Sequence, residues 1–504
     1  TATAGTISVD AEGGTLRMAG NSNISAVGSS MRLAATGTVT VGNTTAEFVS
    51  IVSRRGAIMN AAGSTRNVTA TNLRLQSYGS IGSANRHFTT QVVNLSIDPE
   101  EDGAGIYLSE LDDVVVTTVR VDVTEMTSLA GTLGISDESM ADLVTSSNGT
   151  IVLVTIDGSI TLTDGDHNGV SISADGTGNV HLEANGADNN VIIEAAIQTD
   201  TGSITIVAAG DVEQQANIVT SGNLVSVQAE QGSITMDQNV QTITNNGSIE
   251  YRSYEDVLLS LLHAESGSVA VYDETGSIEN NTTSNTTPNV TSETALFKAG
   301  ADVGLREIQP VVISVERVAA EAVTGEMSLV NLGTVVIDVL EDSQGNTVSG
   351  LSAGDGLSLE SLQGSIVVAA PVDTKGTADA LLTFSNGQLI GKSAYFDDAG
   401  TFLKMQYKQF QFLWNGEGAT IRQELLNMVV GRQVDSDIAR YRESASERQT
   451  VSPARSTMPM RSYDPMESLR HVDVDVLEEQ PGYVEVHNGY AFFRWAEVPG
   501  AQSY

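Results

Sequence analysis

An all-β fold, built as a parallel β-helix solenoid, is what three features of this sequence predict. A Gly-Ser/Thr-Ile/Val signature recurs along the chain, among others at Gly5-Thr6-Ile7, Gly37-Thr38-Val39, Gly79-Ser80-Ile81, Gly149-Thr150-Ile151, Gly158-Ser159-Ile160, Gly202-Ser203-Ile204, Gly232-Ser233-Ile234, Gly267-Ser268-Val269 and Gly364-Ser365-Ile366. Each copy opens a short apolar-polar-apolar run, the period of a half-buried strand. Helical period is absent through the same region. One turn-plus-strand unit repeated many times is the mark of a stacked solenoid, in which each strand pairs with its equivalents in the coils above and below.

Taken in order, residues 1–97 read as strands and turns, with triplets such as Leu16-Arg17-Met18, Met31-Arg32-Leu33 and Leu73-Arg74-Leu75. An acidic turn, Asp98-Pro99-Glu100-Glu101-Asp102-Gly103, leads to Ile106-Tyr107-Leu108 and Val114-Val115-Val116. Residues 124–148 lack the pattern and read as an excursion loop. The clearest repeats fill 149–280, at Val180-His181-Leu182, Val191-Ile192-Ile193, Ile204-Thr205-Ile206, Val225-Ser226-Val227 and Ile234-Thr235-Met236. A coil of about 20 residues rising ~4.8 Å predicts on the order of 20 coils before residue 415. The body is thus residues 1–280, a polar loop over 281–292, and a continued or second stack over 293–401. Aromatics otherwise scarce in the chain gather between Phe402 and Trp414, and an exposed solenoid end needs covering. Residues 402–434 are therefore read as a cap strand and a short helix at about 421–433. That helix has a capping box at Thr420-Ile421-Arg422-Gln423. Residues 435–480 read as a linker, and 481–504 as the start of a further module.

Composition limits the function. The chain has 504 residues, too many for one ordinary core, and no Cys, which excludes disulfides and thiolate metal sites. Its net charge of −38 is uneven: seven Arg face three acids in residues 1–97, whereas 98–300 hold three basic residues against 32 acids. An acidic middle of this kind argues against nucleic-acid partners, which require Lys and Arg at phosphates. No apolar run reaches the ~20 residues of a membrane helix, so no membrane span is expected in this stretch. Both ends fall inside repeating or modular patterns, from which the sequence reads as a piece of something longer.

The runs Asp157-Gly158-Ser159-Ile160-Thr161-Leu162, Gly178-Asn179-Val180-His181-Leu182-Glu183-Ala184 and Gly202-Ser203-Ile204-Thr205-Ile206 resemble the repeats of filamentous-haemagglutinin-type adhesins and related giant bacterial surface proteins. That resemblance spans about residues 1–370. It implies a right-handed coil, export, and adhesive or structural work at the cell surface. No secretion-recognition domain of the two-partner type accompanies it. Near the end, Trp495, Val498-Pro499-Gly500-Ala501 and Tyr504 resemble a segment of fibronectin type III-like sandwich modules.

One stretch carries metal chemistry. Asp164-Gly165-Asp166-His167-Asn168-Gly169, with Asp175 at the twelfth position, fits a calcium-loop spacing in which alternate carboxylates converge on a hard cation. Asp164, Asp166, Asn168 and Asp175 are the candidate calcium ligands, although strands rather than helices flank them and a polar turn accounts for the same residues. The six histidines (His87, His167, His181, His263, His471 and His487) show no ligand spacing. Parallel β-helices also include polysaccharide lyases and hydrolases, for which Asp112, Asp113 and Asp211 are candidate acids, but no motif marks a nucleophile and basic residues are scarce. The expectation is a non-enzymatic, secreted or cell-surface bacterial fibrous protein or adhesin. Its expected partners are copies of itself, other surface or matrix components, or glycans. The alternative is a carbohydrate-active β-helix enzyme.

Overall fold

The structure, a computed structural model, describes residues 5–127, 131–282, 284, 286–305, 309–375, 380–384, 389–392, 402–407, 410–415, 420–421, 482–487 and 490–495, with side chains described as far as 384. Every regular element among them is a strand, and the parallel strands stack as a β-solenoid of about 16 turns. The chain divides into two compact units. One is Thr1–Glu274 with Asn281–Thr283, the other Thr275–Asn280 with Ser284–Tyr504.

The first unit shows the repeat most plainly. Three parallel ladders run through it. One joins Val180–Ala184, Ile204–Ala208, Val225–Ala229 and Ile249–Ser253 in register, Val180 to Ile204 to Val225 to Ile249. Another joins Val191, Val212, Ile234 and Val257, and the third joins Ile197, Ile218, Thr242 and Leu262. The first and third residues of each triplet point inward. Ile204, Ile206, Val225, Val227 and Ile234 are fully buried, each worth about 1.5–3 kcal/mol of apolar burial.

The recurring glycine is required by close approach. A Cβ at Gly202 would collide with the carbonyl oxygen of Gly178 one coil away, and a Cβ at Gly267 with that of Gly247. A buried hydroxyl ends the preceding strand and bonds to the same turn: Thr155 Oγ1 donates to Gly158 O (2.5 Å), Thr199 and Thr220 to Gly202 O (3.0 and 2.8 Å). The residue after the glycine, or its equivalent in coils that lack one, forms a polar ladder of its own. Ser159 N–H donates to Asp113 Oδ1 (2.8 Å), Asn190 N–H to Ser159 Oγ (3.0 Å) and Asp211 N–H to Asn190 Oδ1 (2.8 Å). Ser233 N–H continues it to Asp211 Oδ1 (2.8 Å) and Asp256 N–H to Ser233 Oγ (3.2 Å). Each turn therefore satisfies backbone donors of the next coil that the strand ladders leave unpaired.

Toward its start this unit has longer strands, Asn23–Ala35, Asn43–Ser53, Val68–Ser77 and Phe88–Pro99, which are two coil strands run together without a loop. Residues 124–148, expected as an irregular excursion, instead belong largely to an antiparallel hairpin of Val119–Met126 and Thr132–Met140. It lies across the outer face of the long strands. Val119, Val121 and Val123 are buried there with Phe48 and Ile135 packed against them. The early arginines hold it: Arg32 Nε meets both oxygens of Asp137 at 3.1 Å, and Arg74 Nε donates to Glu138 O at 3.0 Å. Arg32 and Arg54 also share Asp10. The excess of positive charge in residues 1–97 is thus partly spent inside the fold.

In the second unit, Val290–Ala299 and Val311–Ala322 are the long strands. The strand Val290–Ala299 begins inside the stretch expected as a polar loop. A shorter antiparallel hairpin, Val339–Glu341 with Thr347–Ser349, lies against them, burying Leu340 and Val348. Coils resume at Leu351–Ala353 and Leu357–Ser361. Phe402–Tyr407 and Phe410–Asn415 pair antiparallel, as do Phe410–Asn415 and Thr420–Ile421. The expected helix does not start at its capping box: Thr420 and Ile421 are strand, because they pair with Asn415 and Trp414. The rest of that helix, 422–433, and the linker 435–480 lie outside the described residues. Tyr490–Trp495 is a strand paired antiparallel with Gly482–His487.

Candidate functional site

The outer face of the second ladder in the first unit carries an open groove of about 350 Å³. It is lined by Asp211, Glu213, Gln215, Ser233, Thr235, Asp237 and Glu255. Two strands build it, Val212–Gln214 and Ile234–Met236. The middle residue of each triplet points outward, and register sets Glu213 beside Thr235. Gln215 Nε2 donates to Glu213 Oε2 at 3.4 Å, and Asp211 Oδ1 is occupied by Ser233 N–H. The lining offers four carboxylates, two hydroxyls and one amide, with no Lys, Arg, His or aromatic ring. Its chemistry is that of an acceptor surface for cations or for hydroxyl-rich ligands. Of the sequence's candidate acids, Asp211 is here, but its carboxylate serves the turn ladder. Asp113 does the same for Ser159, and Asp112 accepts from Gln91 Nε2 at 2.9 Å.

The candidate calcium residues are only partly brought together. Asp164, Asp166 and Asn168 form one turn whose oxygens accept its own donors: Gly169 N–H to Asp164 Oδ2 (3.1 Å), Asn168 N–H to Asp166 Oδ1 (3.1 Å) and Val170 N–H to Asn168 Oδ1 (2.7 Å). Asp175 faces elsewhere, with its carboxylate 3.4 Å from Ser173 Oγ and its carbonyl taking Asn148 N–H. Among the described residues no three His, Cys, Asp or Glu side chains converge closely enough to hold a metal ion. The sequence pattern passed over Asp142, which lies beside this turn, close to Asp164 and Asp166. Asp142 is buried, its Oδ1 has no partner, and its backbone is left-handed at φ 69°. Burial, and then the neighbouring charges of Asp166 and Asp164, push its carboxyl up to about 7.

A second buried acid also escaped the sequence reading. Glu110 is fully buried at the end of Ile106–Glu110. Its Oε1 accepts from Val92 N–H (3.0 Å) and Leu111 N–H (2.9 Å), and its Oε2 lies 2.6 Å from Thr90 Oγ1. Burial pushes this carboxyl up to about 7 against those bonds. Of the histidines, His181 pairs with Glu183 at 3.1 Å on the outer face, His87 is held below its usual range by burial, and His167 sits in the turn at φ 67°. Within the core, Gln214, Thr242 and Tyr251 bond to one another, with Tyr251 Oη 2.6 Å from Gln214 Oε1 and 2.7 Å from Thr242 Oγ1. Compared with known proteins, the chain matches no family model, no curated protein and no solved structure.

Proposed function

We propose that this chain is part of an exported bacterial surface protein, a non-enzymatic fibrous adhesin or filament component with a right-handed coil. The observation that carries the reading is the continuity of the turn ladders. Side chains of one coil satisfy the backbone of the next from Asp113 to Asp256, so this line of outward polar residues serves stacking. Such a body suits a mechanical role, holding surface loops at a distance or joining a larger assembly. The resemblance of residues 1–370 to filamentous-haemagglutinin-type repeats supports the same reading. An acidic composition suits glycans or matrix components as partners and argues against nucleic acid.

The test is an immunoblot of surface-sheared and periplasmic fractions with antibody raised to residues 149–280. A surface-sheared band supports the proposal. A soluble periplasmic protein near 52.8 kDa would contradict it. The groove at Glu213 and Asp237 favours the carbohydrate-active reading as the second one. Release of sugar from a polysaccharide, lost in Glu213→Gln, would establish it in place of the first.

A further inference from the structure

The two hairpins occupy equivalent places in the two units. In the first unit the solenoid resumes after the hairpin at Asp142, φ 69°, just before Leu143; in the second it resumes at Gly350, φ 70°, just before Leu351. Each of these residues accepts a ladder N–H, from Ile97 to Asp142 O (2.9 Å) and from Ala320 to Gly350 O (2.8 Å). Ahead of the hairpins the match continues. Asn67 and Asn289, both fully buried, take the N–H of Thr89 and Val312 on their Oδ1, each at 2.9 Å. Glu110 and Asn331 take those of Val92 and Val315, each at 3.0 Å.

The second unit fills this place with residues that suit it. Glycine carries the left-handed hinge without steric penalty. Beneath the hairpin lie Leu296 and its register partner Ala319, buried with Leu340 and Val348. The first unit fills it with residues that do not. Its hinge is a buried aspartate with an unpartnered oxygen. Beneath its hairpin runs a register column of Ser8, Arg32, Ser50, Arg74 and Ser96, the last four at most 6% exposed. Ser50 Oγ, Ser96 Oγ and Arg74 Nη1 have no hydrogen-bond partner. The second unit proves that the fold itself demands neither the charge nor the unpaired donors.

We propose that the hairpin 119–140 is an exchangeable strap, which leaves the Ser–Arg column of its own chain so that the same hairpin of a second copy can take its place. What the column recognises is already visible: the Asp137 carboxylate on Arg32 and the Glu138 carbonyl on Arg74, both from one acidic extended strand. A second copy brings the same groups and the same Val119, Val121 and Val123 seal, so the exchange loses no contact once complete. The hinges are short, and one is strained, which favours exchange over local reclosure. The inference holds for an adhesin or a filament alike.

The chain has no cysteine, so a single engineered pair traps the exchange in the intact chain. Thr6 Oγ1 and the Thr124 backbone bond at 2.8 Å across the strap contact. Thr6→Cys with Thr124→Cys is incubated at rising concentration, oxidised, and run on a non-reducing gel. Covalent dimer that increases with concentration is expected, and Asp142→Gly, which copies the second unit's hinge, should lower its yield several-fold. Monomeric, internally closed chains at every concentration would overturn the proposal. So would a dimer yield unchanged in Asp142→Gly.

Discussion

The two units solve one structural problem with different chemistry. Where a long double strand meets a coil that splits in two, a backbone N–H is left without a strand partner. The first unit caps it with the carboxyl of Glu110, the second with the amide of Asn331. Asn331 also donates Nδ2–H to Gly333 O at 2.8 Å, whereas Glu110 Oε2 accepts from Thr90 Oγ1 at 2.6 Å. The same contrast recurs at Asp142 against Gly350 and at Arg74 and Ser96 against Leu296 and Ala319. The second unit lays its hairpin on apolar Leu296 and Ala319 with the Arg317–Asp338 pair at its base, while the first holds its hairpin through Arg32 and Arg74 and leaves buried polar atoms of Asp142, Ser50, Ser96 and Arg74 unpartnered beneath it. What the fold needs is therefore separable from what the first unit adds.

The largest effect should come from breaking what the units share. Ile204→Asp places a carboxylate in the fully buried ladder and should remove about 5 kcal/mol or more, enough to abolish cooperative thermal unfolding. Next is the hinge of the second unit. A side chain at Gly350 meets the carbonyl of Pro371, so Gly350→Asp should cost about 3 kcal/mol, read as a lowered midpoint in urea. If it behaved like the native aspartate at 142, the equivalence of the hinges would fail.

The third effect concerns pH. Glu110 has a folded pKa raised to about 7 from 4.5, so the folded state holds the extra proton. Its contribution is therefore fully present below pH 4.5 and is lost as pH rises to 7, at most about 3 kcal/mol. Asp142 acts in the same direction. Glu110→Asn, copying the second unit, should flatten most of the fall in stability between pH 5 and 8 measured by chemical denaturation. An unchanged slope would remove Glu110 from the account. The smallest effect is Asp142→Gly, which relieves a left-handed aspartate and should raise stability by about 1 kcal/mol.

Much of the solenoid was legible because its periodic signals have local causes. Gly202 and Gly267 recur where two turn backbones touch, and the residue that follows supplies the inter-coil ladder. The alternation of Ile204, Thr205 and Ile206 reports the inward and outward faces directly. The hairpin 119–140 was not legible, since its partners Arg32 and Arg74 lie 105 and 64 residues away from Asp137 and Glu138. Its strand Thr132–Met140 is mostly exposed and polar and shows no clean alternation. The helix read at 421–433 rested on local spacing, and the pairing of Thr420 and Ile421 with Phe410–Asn415 overrode its start. The calcium spacing covers one polar turn, Asp164 to Asn168; Asp142, which lies beside that turn, is outside any such spacing, and Asp175 lies apart from it.

Hydrogen exchange on the intact protein tests the contrast between the units most directly. The strap 119–140 pairs over seven register positions, whereas the hairpin 339–349 pairs over three. Pairing alone would protect the longer hairpin better. With an opposed hinge and a polar column beneath it, the strap 119–140 should nevertheless take up deuterium sooner than 339–349 at pH 8, and Asp142→Gly should slow it. Stronger protection in 119–140 than in 339–349, untouched by Asp142→Gly, would mean that the buried charges of the first unit do not loosen its strap.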